Sequence, residues 1–159
     1  MMRIKFLKLF IQALITLVTV SLTLLSPGAL AQSLQPGAQR VLGLVVGEQK
    51  EVVIAPEAVK VGEDFNVTIN TFGGGCESKG DEGVILGEDS AVVMVYDFTV
   101  ATRPGVICTA IAQTFPHTVI LRFTKTGDAV IRIWVRRIGP DTPPEGVPIV
   151  LERRVKVNP

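Results

Sequence analysis

Asp64-Phe65-Asn66-Val67-Thr68-Ile69-Asn70-Thr71 alternates apolar and polar side chains one for one. A period of two puts Phe65, Val67 and Ile69 on one side of an extended chain and Asn66, Thr68 and Asn70 on the other. This is a strand with one dry face and one wet face. Val61-Gly62-Glu63 reads as the turn that starts it. Gly73-Gly74-Gly75 ends it and leads straight into Cys76, where glycine permits positive φ and close backbone approach.

The same rhythm continues outward from this segment. Ser90 to Val100 is a long extended run, apolar on both faces at its start, as expected in mid-sheet. Further strands are expected at Ile107 to Thr114, which holds Cys108, and at Thr118 to Lys125, where Val119, Leu121 and Phe123 share a face. After the turn Thr126-Gly127-Asp128 come Ala129 to Ile138 and, beyond a Pro-rich loop, Val147 to Val157. Two shorter strands fit Val41–Val46 and Glu51–Ile54. No stretch after residue 31 carries a 3.6-residue apolar stripe. The fold class is therefore all-β, with about seven to eight strands in a single sandwich or small barrel.

Residues 1–31 have a different composition. Arg3, Lys5 and Lys8 precede an uncharged apolar run from Leu9 to Leu25, then Ser26-Pro27-Gly28 and Ala29-Leu30-Ala31. This order describes a signal peptide cleaved after Ala31, and membrane contact is expected only through it. A flexible leader, 32–40, and a β domain, 41–159, remain. Loss of three bases leaves thirteen Lys and Arg against fifteen Asp and Glu, a formal charge of −2. That balance gives no support for nucleic-acid binding. Export places the chain in the periplasm or outside the cell. In an oxidising compartment Cys76 and Cys108, the only cysteines, are expected to pair.

Chemistry-bearing groups are few. His117 is the only histidine and reads as a loop or strand-edge residue. Glu77, Asp81, Glu82, Glu88 and Asp89 crowd a Gly-rich stretch, 77–89, that reads as a loop. Oxygen ligands on loops suit Ca²⁺, but the EF-hand spacing is absent, so no metal or other cofactor is expected. Arg132, Trp134 and Arg136 share one face of a strand and form the candidate binding surface, with Arg154 and Lys156 on a possible neighbour. An aromatic flanked by Arg suits an interface anchor or a ring-stacking platform. No G-x-S-x-G, H-E-x-x-H or phosphate-binding glycine loop occurs, and no catalytic residue is assigned. From Glu48 to Asp97 there are eleven acids and three bases; from Phe98 onward, nine bases and four acids.

From Glu57 to Val157 the chain resembles the immunoglobulin-like sandwich domains of bacterial exported proteins. The residues carrying the likeness are Val61-Gly62-Glu63 before Phe65-x-Val67-x-Ile69, and Phe123-x-x-x-Gly127-x-Ala129-x-Ile131-x-Ile133. The resemblance implies a fold and no activity. Trp134 follows both cysteines instead of lying between them, so the bridge is expected at the rim of the domain. The expected function is a non-enzymatic binding or structural module of the periplasm or cell envelope, recognising another envelope protein or a glycan. The alternative is a small sandwich-fold hydrolase or metal-binding protein using His117 and nearby acids. Oligomeric state is not encoded legibly. The purified exported protein should begin at Gln32 and take up alkylating reagent only after reduction; its intact mass checks both.

Overall fold

The computed structural model describes residues 37–47, 49–100, 107–138, 143 and 146–159. The signal-peptide and most of the leader assignments lie outside them. The strands are β1 (Ala38–Leu42), β2 (Leu44–Val45), β3 (Val53–Ile54), β4 (Ala58–Lys60), β5 (Asp64–Gly73), β6 (Glu77–Leu86), β7 (Ser90–Val100), β8 (Gln113–Arg122), β9 (Gly127–Arg137) and β10 (Val147–Asn158). One helical turn, α1 (Gln49–Val52), precedes β3. All ten strands join into one hydrogen-bonded sheet that curls upon itself.

Alternation explains the curl. Phe65, Val67 and Ile69 on β5 are buried, as are Val119 and Leu121 on β8. They meet Val93 and Val95 of β7 and Ile131, Ile133 and Val135 of β9, all without solvent exposure. Each such side chain contributes about 1.5–3 kcal/mol by leaving water. Truncating one, Ile133→Ala for example, costs about 2–5 kcal/mol. On one side of the curl β6, β7, β9, β10 and β4 run in order, with β7 and β9 parallel and β9 and β10 antiparallel. On the other, β5 pairs with β8 and β3, both antiparallel.

A one-residue break at Gly43, between β1 and β2, joins the two sides. β1 runs antiparallel along β7, and β2 then bridges β9 and β5. Gly43 sits where β7 and β9 part: its N–H donates to Val95 O at 2.8 Å, and its carbonyl accepts from Arg136 N at 2.8 Å. A Cβ here would run into Thr71 Cγ2 and lie 3.0 Å from Asp97 Oδ2, so only glycine lets the backbone through.

Several expectations are corrected. The stretch 77–89 is not a loop: β6 takes up most of it, because it pairs antiparallel with β7 from Glu77↔Thr99 to Leu86↔Ala91. Residues 107–112 form no strand, and β8 begins at Gln113 instead of Thr118. Glu51 and Val52 belong to α1, β4 was not foreseen, and regular pairing starts at Ala38, inside the expected leader.

Cys76 and Cys108 are joined, with Cα atoms 5.1 Å apart and 32 residues of separation. The bridge stands where β6 begins, beside the glycine turn. There Gly75 N donates to Thr109 O at 3.0 Å, and a Cβ on Gly75 would collide with Thr109. A closed loop of that length stabilises by about 3–4 kcal/mol through the unfolded chain. The Cys76→Ser/Cys108→Ser double variant should lose about that much in a urea titration, with an intact β-sheet spectrum in the absence of denaturant.

Candidate functional site

Above the apolar layers the interior turns polar. Thr71, Asp97 and His117 continue the inward rows of β5, β7 and β8 and are buried. His117 has no solvent exposure at all. Its Nδ1 lies 2.8 Å from Glu82 Oε1 on β6. Its Nε2 lies 2.9 Å from Asp97 Oδ1 and 3.2 Å from Thr71 Oγ1. The strand-edge reading of His117 is thereby corrected: it sits in the middle of β8, opposite Ile69. Each ring nitrogen thus faces a carboxylate oxygen, Glu82 on one side and Asp97 on the other, with the Thr71 hydroxyl beside the second.

Glu82 reaches this position through a β-bulge. Below it Glu82 pairs with Val95, and above it Lys79 pairs with Asp97, so Gly80 and Asp81 together face a single residue. The bulge turns Glu77 and Glu82 to the same side although five residues separate them. Asp81 points elsewhere, accepting from Arg40 Nε at 2.8 Å, and Arg40 lies 3.3 Å over the Tyr96 ring. The hydrogen bond from Arg40 holds the Asp81 carboxyl below the usual carboxylate range, despite some desolvation.

A cleft of about 620 Å³ opens above the polar layer, lined by Val41, Leu44, Phe72, Glu77, Asp97 and Arg136 among others. Glu77 accepts from Gly74 N at 2.6 Å, so its carboxylate is fixed at the cleft wall. Asp97 Oδ2 is buried without a hydrogen-bond partner among the described residues.

The Thr71–His117–Glu82 line has the order nucleophile, base, orienting acid. Two observations count against that chemistry. Thr71 and His117 are wholly buried, and Asp97 occupies the same ring nitrogen that would accept the threonine proton. The acids of 77–89 are likewise dispersed: Asp81 to Arg40, Glu82 to His117, Asp89 to Lys125. Among the described residues no group of three His, Cys, Asp or Glu is arranged to hold a metal ion.

Arg132, Trp134 and Arg136 share the outward face of β9, as their alternation requires. Trp134 is 42% exposed and sits between Met94 of β7 and Val150 of β10, also 40% exposed. The two arginines are not free anchors. Arg132 Nε bonds Glu152 Oε1 at 3.1 Å, and half-buried Arg136 donates to Leu42 O at 2.6 Å. Arg154 and Lys156 lie on β10 opposite Val130 and Asp128.

No protein-family model matches the chain, and neither a curated protein nor a solved structure is significantly similar to it.

Removing one partner of a buried hydrogen bond leaves the other unsatisfied and costs about 1–3 kcal/mol. His117→Leu should therefore lower stability by about that much in urea. The His117→Leu/Asp97→Leu double variant should recover part of the loss, because no carboxylate is then stranded on β7. Strictly additive losses in this cycle would show that the two residues are not coupled.

Proposed function

We propose that this chain is an exported, non-enzymatic binding module of the periplasm or cell envelope, delivered by the signal peptide 1–31, and that its curl is an immunoglobulin-like sandwich. The observation that carries the binding reading is the row Met94–Trp134–Val150, half-buried at Met94 and exposed at Trp134 and Val150, which crosses three hydrogen-bonded strands. One row further down lie Val92 and the Arg132–Glu152 pair. An apolar row with charged residues on the rows either side of it, Arg136 on one and the Arg132–Glu152 pair on the other, suits a protein–protein anchor with the aromatic at its centre.

A protein partner fits this face better than a glycan. Sugar platforms need free hydrogen-bonding groups beside the aromatic ring, and here Arg132 is engaged with Glu152 and Arg136 with the backbone of Leu42. The burial of Thr71 and His117 supports the non-enzymatic reading over a hydrolase.

A photoreactive phenylalanine analogue placed at residue 134 of the protein exported by living cells should give one dominant cross-linked partner. The same analogue at exposed Ile120, on the outward face of β8, should not. Trp134→Ala should weaken binding to that partner at least about tenfold while leaving a folded β-sheet spectrum and a cooperative urea transition. Equal cross-linking from both positions would refute the assignment of this face.

A further inference from the structure

β6 is laddered on one side only. It pairs with β7 and with no other strand among the described residues. Its upper half is protected as exposed edges usually are, by the bulge at Gly80–Asp81 and by Lys79. Its lower half, Gly83-Val84-Ile85-Leu86, has no charge, no proline and no bulge.

The burial of this segment is unusual. Val84 and Leu86 lie opposite Val93 and Ala91, so they face the interior of the curl. Val93 and Ala91 are 0% and 1% exposed, yet Val84 and Leu86 are 42% and 49% exposed. Ile85, on the outer face, is 62% exposed. The core is thus one strand too narrow here. A strand added beyond β6 would cover Val84 and Leu86 on one face and Ile85 on the other while pairing the open backbone groups.

Charge selects the occupant. Asp81 and Glu82 stand at one end of the segment and Glu88 and Asp89 at the other, with no base between Gly80 and Ser90. Asp81, Glu82 and Asp89 each have a cation within ion-pair distance, and Glu88, which makes no ion pair among the described residues, shares Lys125 with Asp89 at longer range. Two copies pairing antiparallel through β6 would set acids against acids. We infer that the β6 edge at Gly83–Leu86 accepts an extended segment of a partner protein, apolar and β-forming at its centre and flanked by Lys or Arg. This site is separate from the Trp134 face and does not depend on it.

A synthetic peptide with an alternating Val-Thr centre and Lys-Lys at both ends tests this on the folded protein. Amide resonances of Gly83–Leu86 should shift saturably and gain protection from hydrogen exchange. A peptide with Glu-Glu ends should bind about tenfold more weakly, and so should the Lys-ended peptide to Ile85→Lys or Glu88→Lys protein whose spectrum is otherwise native. Trp134→Ala should bind the peptide as well as the parent does, which separates this edge from the other face. The inference fails if no saturable shift occurs, if protection appears elsewhere, if both peptides bind alike, or if the protein alone self-associates through Gly83–Leu86, which would give the edge to a second copy.

Discussion

The contact on which the rest depends is the one between His117 and the two carboxylates flanking it. β6 and β8 come together at the margin of the curl without a ladder between them. At one end Glu82 reaches His117; at the other the amides of Thr124 and Lys125 donate to Glu88 O at 3.0 and 3.2 Å. Ordinary strand neighbours share a bond at every second residue. Here one side-chain contact, through the buried imidazole, and one turn link the two strands. The low dielectric around the imidazole makes the satisfied network strong and an unsatisfied one costly.

The same layer separates two environments. Below it the interior is Val, Ile, Leu and Phe; above it the cleft is edged by Glu77, Asp97 and Arg136. The disulfide and the glycine turn shape the rim above that cleft, not the core beneath it.

Much of the fold was legible in the sequence, because alternation over Asp64–Thr71 and Ala129–Val135 matches burial almost residue for residue. The pairing of Cys76 with Cys108 was legible too, from there being two cysteines in a chain read as exported. The His117 layer was not. Strict alternation over 77–86 would place Glu77 and Glu82 on opposite faces; the bulge that unites them leaves only Gly80 as a trace. Gly-rich acidic sequence also reads as loop, and here tertiary pairing with β7 overrides that preference. The exposure of Trp134 was open from sequence because it depends on whether any other segment covers the outward face of β9.

His117 is the only histidine and Trp134 the only tryptophan in the chain. One stands at the inner margin of the curl on β8 and the other on its outer face on β9. The molecule therefore carries two native spectroscopic reporters with no overlap between them. Imidazole ring protons read the closure of the interior, and indole emission reads the occupation of the exterior. Coupling between the two, if a partner exerts any, can be followed in one unlabelled sample.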